Sequence, residues 1–539
     1  MPVKRLASLF YRSNNLKQAV GILFVTVLIS NVLGLIRNVV IANRVGVAFG
    51  SIGPLDSYYA AFVLPDLLYN IIIVGALSSA ILPLLVKINE DGDDKQFWKT
   101  FNILLSTGFT AIVVGLVVLY LVLPMLIPRI YPGFSPEDQQ FTLSLSQILL
   151  LSPLFFTVSQ LSTSALQAKK YFFAPALAPL VYNLAIISAA LLIPDFGLSV
   201  LVFGVILGAA AHFLVQVPTL IRLGWRFNFE TSFGNSLVRQ VMKLMIPRTI
   251  ALTSTQLLLL VFYRLASHLQ EGSIAIYRLT DDLQTAPVLL LANTLAMAIL
   301  PDFARHIAKN DQRQFEELVG KAIRLLLFIF LPATLFLLIF RTEIINLYIS
   351  VGHSINAGET ERAVQTFSYF VGSLFFQGAV LLLARAYFAR SDTVRPTMFS
   401  VIAIVCAFLV ALWTVRATDL GVAGLALAFS VGSTINALLL WFNLGLGSRV
   451  IARDFDGRHN LAPILTGTVC AGLVFAIGGR IGPLLATSLS AGPSMTYLAQ
   501  ILISLTLGVG FYLVWARIFN LEQWQLLRRQ GGKSDEKSE

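Results

Sequence analysis

Residues 27–43 read VLISNVLGLIRNVVIAN. The stretch is apolar enough to dissolve in lipid, yet Arg37 lies about six residues inside its nearer end. A cation at that depth costs ~2.5 kcal/mol or more on insertion scales. A chain that keeps it there has a use for it: a water-filled cavity, an ion pair, or an anion. The rest of the sequence decides which of these is open to it.

The solvent comes first. Of 539 residues, 56% are hydrophobic and 12% charged, and mean hydropathy is +0.78. Soluble domains carry about 25% charged residues. No aqueous fold could cover this much apolar surface, so the chain is expected to be an all-α polytopic membrane protein. Fourteen apolar stretches are long enough to span: 18–43, 57–86, 100–123, 142–166, 173–194, 198–221, 241–267, 274–304, 322–340, 363–384, 397–415, 421–446, 461–479 and 496–516. The basic segment before the first lacks a cleavage site, and the run is too long for a signal-peptide core, so it reads as a retained helix. The tail GGKSDEKSE reads as disordered.

Charge orients these spans. With the N-terminus in the cytoplasm and sides alternating, 29 of the 39 Lys and Arg fall on the cytoplasmic side and six opposite, namely Arg44, Arg129, Arg341, Arg362, Arg416 and Arg480. That bias is what the positive-inside rule expects of an even number of spans. The net charge of +11 is therefore topological and calls for no nucleic-acid partner. Cys406 and Cys470 lie in apolar runs, and the five histidines are scattered without metal-ligand spacing. Neither a cofactor site, a metal site, a phosphate-binding loop nor a nucleophile with its base is present as a motif, so an enzyme is not expected.

The chain repeats itself. SAILP at 79–83 returns as MAILP at 297–301, offset 218; AKKYFFAP ending at Pro175 returns as FARSDTVRP ending at Pro396, offset 221; Gly197 and Gly208 return as Gly421 and Gly432, offset 224. The echoes fall six spans apart, an even number, so two six-helix lobes in the same orientation are expected around a central cavity. The implied organisation is a cytoplasmic segment 1–17, a lobe 18–221, a cytoplasmic linker 222–240, a second lobe 241–446, a helix pair 447–518 beside it, and a cytoplasmic tail 519–539.

With Lys243 and Arg324, at the cytoplasmic ends of their spans, counted on that side, four cations remain inside spans: Arg37, Arg248, Arg264 and Arg278. Asp56 and Asp66 accompany the second span, Asp281 and Asp282 the eighth, where Arg278 and Asp282 share a helix face. Such groups face an aqueous cavity or each other, or else snorkel to an interface. A guanidinium suits phosphate oxygens, so a cationic cavity implies an anionic substrate. Gly34, Pro65, Gly75 and Pro287 sit beside these charges, as hinges or as static kinks.

Taken in order, SNVLGLIRNVVIANRVG, DSYYAAFVLPDLL, GALSSAILP, YPGF, ALQAKKYFFAPALAPLVYNLAII, QVPTLIRLGW, LMIP, AILPDFAR, ARAYFARSDTVRP and GVAGLALAFSVGSTINALLL resemble the MurJ/MviN family over nearly the whole chain. That is the lipid II flippase family of the multidrug/oligosaccharidyl-lipid/polysaccharide exporter superfamily. The resemblance implies fourteen helices, alternating access, export of a polyprenyl-diphosphate-linked peptidoglycan precursor across the bacterial inner membrane, and a lipid-tail groove at the last two helices. Membrane lipids and a coupling ion would be its other partners. Arg37 matches the family arginine of the first helix and Asp56 the acid that opens the second. On this reading Arg37, Asn31, Arg248, Arg264 and Arg278 contact substrate, and Asp56, Asp66, Asp281 and Asp282 form gating ion pairs. Three departures stand out. Asn31 replaces an arginine, Tyr69–Gly75 lacks the charges the family places after its L-P motif, and Asp282 occupies an arginine position. These losses leave two alternatives beside lipid II export: a different lipid-linked saccharide or amphiphile, or a transport-inactive scaffold for envelope assembly.

Overall fold

The computed structural model describes residues 16–74, 81–231, 239, 256–349, 357–444, 461–488 and 493–521. Among them eleven helices are long and apolar enough to cross a membrane, or twelve if the bent pair Ala357–Val371 and Leu374–Ala389 is one span. Three expected spans, 57–86, 241–267 and 421–446, run partly through residues outside the described ones. The described secondary structure is helical throughout, which is what a bilayer demands of backbone that finds no water. By internal contacts the chain divides into two units, Met1–Ala275 and Ile276–Glu539.

The first unit holds α1 (Leu16–Phe49), α2 (Leu55–Tyr69), α3 (Leu82–Glu90), α4 (Asp94–Ile130), α5 (Pro136–Leu149), α6 (Ser152–Ala168), α7 (Phe173–Ala190), α8 (Ser199–Leu214), α9 (Val217–Arg222) and α10 (Gln256–Ala266). Helix α8 crosses α7 closely because Gly204 and Gly208 carry no side chain. A Cβ on Gly208 would stand 3.1 Å from the Tyr182 carbonyl oxygen, and one on Gly204 would overlap Ala189. In a bilayer such close approach supplies the dispersion contacts that replace the missing hydrophobic drive between helices. Helix α10 and the turn after it belong to this unit: Tyr263 is buried here, and Gly133 of the Tyr131–Phe134 turn lies against the Ser267 backbone. The contact boundary thus falls after the 241–267 stretch that sequence grouping assigns to the second lobe.

The second unit holds most of α11 (Ser273–Pro287), then α12 (Thr294–Ala308), α13 (Gln312–Ile339), α14 (Arg341–Ile349), α15 (Ala357–Val371), α16 (Leu374–Ala389), α17 (Val394–Ala417), α18 (Val422–Asn443), α19 (Ala462–Ser488) and α20 (Pro493–Ile518). The last two form a pair, and Phe328, Phe336 and Phe340 of the second unit cluster with Ile464, Phe475 and Tyr512 of that pair. Gly508 makes room for the Phe475 ring, and Gly467 for Trp515.

Structural features of the described residues recur at the same offsets as the sequence echoes. A π-helical turn, Asn70–Val74, follows α2, and another, Val288–Asn293, follows α11, starting 218 residues later. Asp93 caps α4 by accepting from the Gln96 amide at 2.9 Å, and Asp311 caps α13 from Gln314 at 3.1 Å, again 218 apart. Lys170 and Ser391, offset 221, both take left-handed φ (66° and 59°). Gly197 (φ 74°) and Gly421 (φ 55°), offset 224, start α8 and α18 from backbone that a side chain would strain. Gly432 repeats the Gly208 crossing, its Cβ position 3.1 Å from the Ala403 carbonyl oxygen. Each half is therefore built on the same caps, turns and crossing.

Candidate substrate site

Arg37 sits on α1 among residues that orient its guanidinium without neutralising it. Its Nε and Nη2 donate to Asn38 Oδ1 at 3.2 and 3.1 Å, and Nη1 donates to Asn183 Oδ1 of α7 at 3.1 Å. Asn183 in turn donates to the Ser30 carbonyl oxygen at 3.3 Å, tying α7 to α1 one helical face below Arg37. Asn38 is 3% and Asn183 6% exposed, so both amides are fixed. Among the described residues these neutral groups are Arg37's hydrogen-bond partners, and its side chain is half-buried. Neutral acceptors thus hold the guanidinium in one orientation. Asn31 shares none of these bonds. Six residues before Arg37, it falls on a different helix face.

The acid of the second span binds backbone amides far along the chain. Asp56, 7% exposed, accepts from the Gly272 N–H through Oδ2 and the Ala275 N–H through Oδ1, both at 2.8 Å. Those amides belong to the turn and first residues of α11, where unpaired N–H groups and the helix dipole both attract a carboxylate. Asp66 is exposed, and its carbonyl accepts from the Asn70 side chain at the start of the π-helical turn. Pro65 is buried in α2, five residues before that turn.

The other predicted residues are distributed as follows. Arg264 is exposed on α10 and donates to the Arg129 carbonyl oxygen. In the second unit Arg278 pairs with Asp282 at 3.2 Å, one turn apart. Asp281 accepts from Gln284 at 2.9 Å, and Gln284, fully buried, accepts from Gln377 of α16 at 2.8 Å. Pro287 ends α11 where its π-helical turn begins. A Cβ on Gly34 would meet nothing within 4 Å, so packing does not require that glycine. Arg248 and Gly75 lie outside the described residues. Sequence reasoning missed Asn38 and Asn183. The signal for Asn183 was available, since an amide in the middle of the apolar PLVYNLAII costs free energy unless it has a partner.

A family model described as lipid II flippase MurJ matches residues 45–449. The chain belongs to the lipid II flippase MurJ family. The lipid II flippase MurJ of Burkholderia cenocepacia is 28% identical over 468 residues, covering 83% of this chain and 87% of that protein. The probable lipid II flippase MurJ of Vibrio cholerae is also 28% identical, covering 78% and 81%. A solved MurJ structure in an inward closed conformation superposes with a TM-score of 0.74 at 22% identity, over 92% of this chain and 98% of that one. An inward-facing multidrug transporter of the MATE family, at 12% identity, gives 0.64 over 78% and 95%. The MurJ fold, a multi-pass membrane protein, is thus shared with the wider superfamily. The MurJ relatives are named as flippases, so membership assigns transport rather than catalysis.

Proposed function

We propose that this protein carries lipid II, the polyprenyl-diphosphate-linked peptidoglycan precursor, from the inner to the outer leaflet of the bacterial inner membrane by alternating access. Family membership supports the substrate, and one observation carries the site: Arg37 stands in a membrane helix, held by two buried asparagines and neutralised by neither. A diphosphate takes the place of the missing counter-charge. Arg278, Arg264, Arg248 and Asn31 add to the anion-binding surface as the lobes 18–221 and 241–446 rearrange. Asp56, with its two backbone bonds to the start of α11, acts as a gate that opens and recloses, and Asp66, Asp281 and Asp282 complete the gating acids or engage a coupling ion. Bending takes place about Gly34, Pro65, Gly75 and Pro287. Helices α19 and α20 guide the lipid tail, and both termini are cytoplasmic.

The test is rescue of a bacterium depleted of its own lipid II flippase, with lipid II exposure on the outer leaflet as readout. Wild type is expected to restore exposure and Arg37→Ala to lose at least tenfold, which corresponds to about 1.4 kcal/mol of lost interaction. Equal rescue by Arg37→Ala would overturn the assignment of the site. Failure of wild type, with the protein present in the membrane, would overturn the substrate.

A further inference from the structure

The segment Gly224–Glu230, part of the expected cytoplasmic linker 222–240, is docked along the first turns of α4. Asn102 of α4 donates to the Arg226 carbonyl oxygen at 2.9 Å and accepts from the Trp225 indole N–H at 2.9 Å. One turn further in, Ser106 Oγ accepts from the Glu230 N–H at 3.2 Å. Asn102 is 5% and Ser106 1% exposed, at the start of the apolar stretch 100–123. Non-helical backbone persists at that depth only where protein groups satisfy it. These two polar side chains do so, which explains their presence in an otherwise apolar helix.

The alternation Trp225-Arg-Phe227-Asn-Phe229-Glu then turns three aromatic rings one way. Their centroids follow one another at 6.3 and 6.4 Å, and Trp225 continues the series onto Phe101 of α4 at 5.9 Å. Between these rings and Phe109, Val158 and Phe213 of α4, α6 and α8 lies a recess of about 290 Å³. Phe227 and Phe229 remain 62% and 60% exposed. Two of the helices that line the recess are apolar enough to span a membrane and carry apolar side chains that are more than half exposed, Val114, Val117 and Leu121 on α4 and Leu207 and Leu214 on α8. Its lining polar groups, the Trp225 indole and the Ser106 hydroxyl, are already engaged. Water entering it would find no partner.

We infer that this recess is a binding site for one acyl chain of a phospholipid, from the leaflet on the side of Asp94 and Arg222. The chain completes the wall that Trp225, Phe227 and Phe229 begin, and fastens the first part of the connection between the two repeats to α4. Selection is for hydrocarbon, since the flanking charges are mixed: Lys95, Lys99, Arg222 and Arg226 against Asp94 and Glu230. The occupant is a bulk phospholipid rather than the polyprenyl tail of a transported lipid, because the recess is walled by α4, α6 and α8, spanning helices whose exposed apolar side chains meet bulk lipid.

The experiment uses the full chain in nanodiscs containing phosphatidylethanolamine or phosphatidylglycerol with a photoactivatable diazirine in the acyl chain, and maps adducts by mass spectrometry. Adducts are expected on 225–230, Phe109 and Phe213 with either headgroup, and at Leu121 as the lipid-exposed reference. Val158→Trp, which fills the recess, and the exposed pair Phe227→Ala/Phe229→Ala, which opens it, are each expected to lower labelling of Phe109 and Phe213 at least fivefold with Leu121 unchanged. Labelling of Leu121 without the recess, or recess labelling that both variants leave intact, would overturn the inference. Displacement by undecaprenyl phosphate, but not by unlabelled phospholipid, would overturn the choice of occupant.

Discussion

A single guanidinium changes meaning with its neighbours. Had Arg37 faced a carboxylate, as Arg278 faces Asp282, a static ion pair would explain it. Instead Asn38 and Asn183 spend their acceptor oxygens on it and leave its charge to something else. Asn183→Asp would put a carboxylate where an amide oxygen now lies 3.1 Å from Nη1. The side chain would still orient Arg37 but would also neutralise it. Asn183→Asp is therefore expected to weaken lipid II binding in nanodiscs by on the order of tenfold, more than Asn183→Ala does. A merely structural asparagine would give the reverse order, since aspartate preserves shape better than alanine. Asp56 illustrates the opposite limit: both its oxygens are committed, and Asp56→Ala would orphan two buried N–H groups at about 1–3 kcal/mol each. A thermal shift of the detergent-solubilised protein measures that cost.

At the scale of elements, the paired π-helical turns carry most interest. A π turn holds one extra residue and rotates everything beyond it by about 100° relative to an uninterrupted α-helix. Deleting Ile72 or Leu290 would restore α-helical spacing while changing no charge. Each deletion is expected to leave the protein folded and membrane-inserted but without flippase activity in the rescue assay. Full activity would show that the turns are tolerated irregularities. Close helix crossing makes a separate prediction. Gly432→Leu forces a side chain against Ala407 and the Ala403 carbonyl, and overpacking of this kind costs about 1–3 kcal/mol. Gly510→Ala meets open space in α20 and should be neutral or stabilising by up to about 1 kcal/mol. Melting temperatures of the two variants should move in opposite directions, or only the first should fall.

For the whole molecule, the strongest determinant lies in charge distribution. Twenty-nine basic residues against six, over the even number of spans expected from sequence, predicts that both termini are cytoplasmic. A C-terminal fusion to a reporter active only in the periplasm should be silent, and one active only in the cytoplasm should work. Solvent, helical class, repeat and family were all legible without coordinates, because each follows from properties summed along the chain: hydropathy over twenty residues, charge between spans, echoes at one offset. The caps and crossings recur at those same offsets, since a glycine or an aspartate does one local job wherever the backbone is repeated. What the sequence left open concerned partners distant along the chain. Arg37 meets Asn183 across 146 residues, Asp56 meets Gly272 across 216, and Asn102 meets Arg226 across 124. Hydrogen bonds are short and directional, so no periodicity foretells them. Only tertiary packing decided that Arg37 is held but not neutralised, that Asp56 caps a helix, and that a linker lies along α4.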